Sequence, residues 1–138
     1  MRTVIQSMAR TLVSMLATFG LLYLGWSLYL LLIQAGWGDL FNAYTYIFMY
    51  GGWPIIAGSI VGELLYLVAK GMQRGTGYVL YALVGLLTGF TYFSLIGFNI
   101  IHFIGNEPHI VLLISLFSVV CASFFFWVRL GLDRRGWF

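Results

Sequence analysis

Residues 51–70 read GGWPIIAGSIVGELLYLVAK, an apolar run that contains one carboxylate, Glu63, and ends at Lys70. Runs of this kind dominate the 138-residue chain, in which 62% of the residues are hydrophobic and 8% are charged. A soluble domain carries about 25% charged residues. Because an apolar helix of roughly 20 residues crosses the hydrocarbon of a bilayer, the sequence predicts an integral membrane protein.

Three further apolar runs accompany this one, and together they define four predicted spans at about 11–34, 44–69, 77–103 and 108–130. The segments between them are short and rich in glycine or polar turn-forming residues. Connections of that length join adjacent antiparallel helices. The predicted fold is therefore all-α: a single transmembrane domain over 1–138, arranged as an up-down-up-down four-helix bundle.

The basic residues indicate the orientation, because all seven fall on one side of the predicted bundle: Arg2, Arg10, Lys70, Arg74, Arg129, Arg134 and Arg135. Lysine and arginine in short loops stay cytoplasmic. We therefore expect both termini in the cytoplasm. The net charge of +3 is explained by basic residues at span ends, where they meet anionic lipid. The expected partner is thus the lipid bilayer and not nucleic acid.

Glu63 raises the main chemical question of the sequence. It precedes Lys70 by seven residues, which places it about 10 Å inside the cytoplasmic end of its span. An acid at that depth is a functional hypothesis by default, as a proton-accepting or cation-binding site. The alternative is an anchor that fixes helix register, with Lys70, Arg74 or Arg129 reaching inward to pair with it.

The third predicted span carries a semi-polar stripe at steps of three and four residues: Tyr81, Gly85, Thr88, Tyr92, Leu95, Asn99 and His102. Hydroxyl and amide groups that faced lipid would lose their hydrogen bonds, so we expect this face to point inward. Tyr81 or Tyr78 is expected to donate to Glu63. The candidate intramembrane polar site consists of Glu63, Ser59, Tyr81, Thr88, Tyr92 and Asn99.

Small residues predict where the helices approach closely. Two pairs with small-xxx-small spacing, Gly58 with Gly62 and Gly85 with Gly89, predict that the second and third spans meet through these glycines. A further small-residue seam runs along the fourth span and is expected to face a neighbouring helix or another copy of the chain: Ser115, Ser118, Cys121, Ala122 and Ser123.

The start of the second span contains helix-breaking residues. Pro54 lacks a backbone N–H, and Gly51 and Gly52 weaken the preceding turn. These residues predict a kink in the outer third of the 44–69 span.

Motifs of enzymes and metal sites are missing from the sequence. It has no phosphate-binding glycine loop, no nucleophile elbow and a single cysteine, Cys121. His102 and His109 flank the last predicted loop at the outer interface, whereas metal sites need three or four ligands. We expect no cofactor, no metal and no enzymatic activity. Sensing of pH by either histidine stays open.

The stretch YGGWPIIAGSIVGE, followed by a short basic loop and a small-residue third span, resembles the small four-span membrane proteins of Gram-positive bacteria. In that group a proline, a serine and an acid occupy the second span in the order of Pro54, Ser59 and Glu63. The resemblance covers residues 44–95, and the double glycine and Trp53 depart from the pattern. It implies a four-span fold in a bacterial plasma membrane and no particular activity.

Two hypotheses about function follow. The first is a non-enzymatic membrane protein that acts through helix–helix association, as an accessory subunit, an immunity-type protector or a small homo-oligomer. The lack of catalytic motifs, the short loops and the small-residue faces favour it. The alternative is a minimal oligomeric transporter or channel in which Glu63 is an intramembrane proton or cation site.

Overall fold

The computed structural model describes residues 2–32, 36, 38, 42, 45, 52–95, 97 and 99–136. Within these residues all regular secondary structure is helical, which confirms the all-α class. The helices are α1 (Arg2–Leu32), α2 (Trp53–Ala69), α3 (Arg74–Leu95), α4 (Ile100–Asn106) and α5 (Pro108–Arg135).

Three of the described helices contain stretches that are long and apolar enough to cross a membrane: Thr3–Leu32, Arg74–Leu95 and Val111–Arg135. The second described helix is apolar but has only 17 residues, so it rises about 25 Å, against about 30 Å of hydrocarbon. The first part of the predicted second span, 44–51, lies outside the described residues except for Thr45.

Pro54 lies in the first turn of α2. A helix tolerates proline there because the first backbone N–H groups have no intrahelical partner. Gly52, just before the helix, already has helical dihedral angles, φ −66° and ψ −50°. The described helix α2 thus has Pro54 in its first turn. The predicted kink also depends on residues 46–51, which include Gly51 and lie outside the described residues, so it stays a prediction.

The third predicted span, 77–103, is broken in the structure. Helix α3 ends at Leu95, and Gly97 follows with a positive φ of 93°, a conformation that favours glycine. Its N–H donates to the carbonyl of Ser94 at 3.2 Å. The chain then continues as the short helix α4, so the semi-polar stripe cannot extend along one helix beyond Leu95.

The glycines of α3 pack against α5 and not against the glycines of α2, which corrects the prediction. A Cβ atom added at Gly85 would lie 2.5 Å from the Cβ of Ala122 and 2.9 Å from the carbonyl oxygen of Ser118. A Cβ at Gly89 would lie 3.1 Å from the Ser118 Cβ. Two residues of the small-residue seam of α5, Ser118 and Ala122, thus face a neighbouring helix of the same chain.

The glycines of α2 have different neighbours. A Cβ at Gly62 would lie 3.0 Å from the ring of Phe125 on α5. A Cβ at Gly58 would meet only the Thr88 methyl group, at 4.0 Å. Contact between α2 and α3 exists, but close glycine packing does not create it.

The start of α1, the end of α2, the start of α3 and the end of α5 lie together, and we call this the basic end. Its core is a cluster of buried residues: Tyr66, Ala69, Tyr81, Phe125 and Phe126. The Phe126 ring is 1% exposed and stacks on the Tyr81 ring with centroids 4.4 Å apart. Tyr78 contacts the same ring edge-on at 5.0 Å. These rings fix α3 against α5 immediately beside the candidate site.

Candidate functional site

Glu63 on α2 forms a two-pronged ion pair with Arg129 on α5. Arg129 Nε donates to Glu63 Oε2 at 2.9 Å, and Nη2 donates to Oε1 at 2.8 Å. Two parallel bonds of this kind are the strongest way in which a guanidinium holds a carboxylate. The Arg129 side chain is 4% exposed and that of Glu63 is 21% exposed, so water offers little competition for these bonds.

Helix α1 joins this pair through Ser7. The Ser7 hydroxyl donates to Glu63 Oε1 and accepts a hydrogen bond from Arg129 Nη2 at 3.2 Å. One serine therefore contacts both charged partners. Three helices, α1, α2 and α5, meet at the carboxylate of Glu63.

A second acid, Asp133, lies one helical turn after Arg129 and extends the network. Arg10 Nη1 on α1 donates to Asp133 Oδ1 at 2.5 Å, and the Tyr66 hydroxyl donates to Oδ2 at 3.0 Å. Arg129 Nη1 lies 3.8 Å from Asp133 Oδ1. The guanidinium of Arg129 also lies over the Tyr66 ring, 4.2 Å from its centroid, a cation–π arrangement.

The charges of this network balance. Two arginines, Arg10 and Arg129, face two carboxylates, Glu63 and Asp133. A charge that is removed from water costs several kcal/mol unless it is paired and hydrogen-bonded. We call these four residues, together with Ser7 and Tyr66, the charge network. Its geometry is suited to hold α1, α2 and α5 in one arrangement.

The sequence identified Glu63 and included its partner Arg129 among three candidates. The other two candidates, Lys70 and Arg74, are exposed. Tyr81, an expected donor to Glu63, instead donates to the backbone carbonyl of Gly62 at 2.5 Å. A hydroxyl that does donate to the carboxylate is that of Ser7, which the sequence did not single out.

Three members of the charge network were missed in the sequence: Ser7, Arg10 and Asp133. Asp133 follows Arg129 by four residues, a spacing that places two side chains together on a helix, so this pair was recognisable. Ser7 lies 56 residues from Glu63 and Arg10 lies 123 residues from Asp133, and only the packing of α1 brings them to these partners.

The other residues of the predicted polar site do not all lie together: some line a cavity and others do not. Ser59, Tyr81 and Thr88 line an interior cavity of about 130 Å³ between α1, α2, α3 and α5. The described lining residues do not include Tyr92 and Asn99. Asn99 lies outside α3, exposed, and its Oδ1 accepts the N–H of His102 at 3.2 Å, so the expected inward position of Asn99 and His102 is wrong.

Three of the hydroxyl groups at the interior cavity donate to their own helices. Ser59 donates to the Ile55 carbonyl at 2.6 Å, and Thr88 to that of Val84 at 2.8 Å. Thr18 on α1 repeats this pattern with Ser14 at 2.8 Å. The hydroxyl hydrogens are thus used, and only oxygen lone pairs stay available as acceptors.

A groove of about 800 Å³ runs between α1 and α2, and Glu63 and Arg129 line its polar end. We call it the α1–α2 groove. Ser59 lines both this groove and the interior cavity.

The histidines lie far from the charge network in the fold. Asn106 Nδ2 lies 3.2 Å from the His102 ring, and His109 is exposed at the start of α5. Within the described part of the chain, no three His, Cys, Asp or Glu side chains are grouped to hold a metal ion.

Comparison with protein-family models, with curated proteins and with solved structures finds no match to this chain.

Proposed function

We propose that the chain is a multi-pass protein of the bacterial plasma membrane, a four-helix bundle with both termini in the cytoplasm, that acts without catalysis through helix–helix association. It serves as an accessory subunit, an immunity-type protector or a small homo-oligomer. The observation that carries this proposal is the charge network, since Glu63 and Asp133 are both held by arginines. An acid held in this way stabilises an arrangement of helices.

The surface of the helices supports immersion in lipid. Large apolar side chains are more than half exposed on all four long helices, for example Leu16 on α1, Leu64 on α2, Leu87 on α3 and Leu112 on α5. Soluble monomers rarely expose apolar patches of that extent. In a bilayer such a surface is normal, and another helix packs on it through van der Waals contact.

Orientation is tested with single cysteines on a Cys121→Ser background. Gln73 and Glu107 are both exposed and lie at opposite ends of the helix assembly. We expect a membrane-impermeant maleimide to label Glu107→Cys in intact cells and Gln73→Cys only after lysis. Labelling of Gln73→Cys in intact cells would contradict the proposed topology.

Association is tested on the full chain purified from its native membrane in a mild detergent. We expect either a homo-oligomer by light scattering or one membrane protein that co-purifies at a fixed stoichiometry and cross-links to the chain before extraction. A monomer with no stoichiometric partner, both in detergent and after cross-linking in the membrane, contradicts the proposal.

A second candidate function is ion or proton transport by an oligomer. It is favoured by Ser59, which lines both the interior cavity and the α1–α2 groove, where Glu63 is partly exposed. Under this hypothesis purified chain in liposomes conducts protons or a cation, and Glu63→Gln abolishes the flux. Glu107→Gln, which changes an exposed acid outside the charge network, is the matched control. A wild-type chain without flux for protons, cations or anions excludes transport.

A further inference from the structure

The walls of the α1–α2 groove are apolar over most of their length. Val4, Met8 and Leu12 recur every fourth residue on α1, and Ile60, Leu64 and Leu67 follow one face of α2. Each of the six is more than half exposed. The wall on α1 runs from Val4 to Leu12, eight steps of about 1.5 Å or about 12 Å along the helix. The groove therefore fits an apolar chain that lies parallel to the helices.

One end of the groove is charged, with a positive excess. Among the described lining residues, three cations (Arg10, Lys70 and Arg129) face two carboxylates (Glu63 and Asp133), which leaves one positive charge. The charge network uses two cations and both acids. Lys70 lies on the rim, exposed, at the C-terminal end of α2.

Arg129 adds a second observation at the same end. Its Nη1 is buried and has no hydrogen-bond partner among the described residues. The nearest carboxylate oxygen, on Asp133, lies 3.8 Å away. A buried donor without an acceptor is costly, so a negatively charged oxygen that entered this end of the groove would satisfy a group that the protein leaves unsatisfied.

We propose that the α1–α2 groove binds one anionic phospholipid of the cytoplasmic leaflet, with its phosphate near Lys70 and Arg129 and an acyl chain between the apolar walls. This inference rests on the membrane insertion and orientation proposed above. Lys70 lies at the C-terminal end of α2, at the basic end, where the headgroups of that leaflet and its anionic lipids are found. A second copy of the chain is a less suitable occupant of the groove. If the two grooves faced each other, the positive charge of one would repel that of the other.

Retention of lipid by the full chain tests the proposal. The protein is extracted in mild detergent and exchanged with phosphatidylglycerol or phosphatidylcholine of identical acyl chains, and the bound lipid is counted by native mass spectrometry. We expect one phosphatidylglycerol to be retained at least fivefold more tightly than phosphatidylcholine, since a basic residue near the lipid surface contributes about this factor.

Two matched pairs of variants locate the site. Lys70→Gln removes the rim cation, and Arg74→Gln removes an exposed cation of the same end that does not line the groove. Ile60→Trp fills the groove, whereas Val79→Trp adds the same bulk to a similarly exposed position on α3. We expect Lys70→Gln and Ile60→Trp to lose the preferential retention and the two controls to keep it.

Four results would overturn this inference. The first two are equal retention of phosphatidylglycerol and phosphatidylcholine by the wild type, and a loss of preferential retention in Arg74→Gln as large as that in Lys70→Gln. The third is displacement of the bound lipid by inorganic phosphate as effectively as by phosphatidylglycerol. The fourth is a wild-type dimer that Ile60→Trp dissociates. Failure of the proposed association leaves lipid retention unchanged, and an inverted topology is detected by the cysteine labelling, so the two proposals fail separately. Thermal unfolding of each variant checks that the fold is intact.

Discussion

Among the residues that the structure describes, the basic end and the opposite end of the helix assembly are held in different ways. At the basic end the charge network ties α1, α2 and α5 together, and the rings of Tyr81 and Phe126 fix α3 to α5. At the opposite end Leu32 and Leu95 are 82% and 81% exposed. The hydrogen bonds of α4 there connect neighbouring residues such as His102 and Asn106.

This difference has a physical reason if the chain lies in lipid. Lipid tails are as apolar as leucine, so burial of apolar surface does not draw helices together in a bilayer. Hydrogen bonds, ion pairs and close packing of small residues must position them. The ion pairs between helices lie at the basic end, and the close packing of Gly85 and Gly89 on α5 lies along the middle of α3 and beyond it. We therefore expect the basic end to contribute more to the stability of the helix arrangement than the opposite end.

The largest effect is expected from Arg129→Met. The variant leaves the Glu63 carboxylate without its ion-pair partner, while Asp133 keeps Arg10, and removing one partner of a buried pair costs about 3 kcal/mol. The free energy of unfolding, measured by titration of a mild detergent with a denaturing one, should fall by that amount. Arg134→Met, which changes an exposed arginine of the same helix, is the control and should unfold like the wild type.

Replacing both partners sharpens this prediction. The double variant with Glu63→Gln and Arg129→Met removes the unpaired charge of Glu63, so it should be more stable than Arg129→Met alone. The free energy of unfolding of the double variant is compared with those of Glu63→Gln and Arg129→Met. If the loss in the double variant equals the sum of the losses in the two single variants, the residues act independently. The ion pair then does not hold α2 against α5.

The glycine contacts give the next largest effect. Gly85→Ala would place a Cβ 2.5 Å from that of Ala122, and overpacking of this kind costs about 2 kcal/mol. Gly58→Ala is the matched control, because its Cβ would meet only Thr88, at 4.0 Å. Alanine is the better helix former by about 0.5 to 1 kcal/mol, so the control should be neutral or slightly stabilised in the same unfolding titration. Equal losses in both variants would mean that α3 and α5 are not in close contact.

A smaller loss is expected from Tyr81→Phe, which removes the hydrogen bond from the Tyr81 hydroxyl to the Gly62 carbonyl and keeps the stacked ring. Hydrogen bonds between membrane helices contribute about 0.6 kcal/mol on average to the free energy of unfolding. Tyr78→Phe changes another tyrosine that packs on Phe126 and should unfold like the wild type. A loss in Tyr78→Phe as large as in Tyr81→Phe would show that the bond between α3 and α2 is unimportant.

The sequence predicts the features of this chain that depend on local composition. Apolar runs determine where helices form, and the all-α class follows from them. An acid inside such a run must be paired or neutral, so the partner of Glu63 was predictable as one of three basic residues. The choice of Arg129 was not, because it depends on how α5 packs beside α2.

The errors concern properties that sequence patterns do not specify. A small-xxx-small pair indicates that a backbone approaches closely, but it does not identify the helix that approaches. The sequence is therefore equally compatible with packing of the α3 glycines on α2 and on α5. Gly97 ends α3 through a positive φ, and nothing in the surrounding apolar run distinguishes it from the glycines that stay helical.

The smallest effect is expected at the opposite end, from Asn106→Ala. The Asn106 side chain contacts His102 within α4, and both residues are exposed. Surface substitutions of this kind change stability by less than about 0.5 kcal/mol. The unfolding titration should therefore not separate this variant from the wild type, while hydrogen exchange should be faster in α4 than in the part of α5 around Arg129. A loss comparable to that of Gly85→Ala would mean that the opposite end holds the helices as firmly as the basic end, and the contrast between the two ends would be wrong.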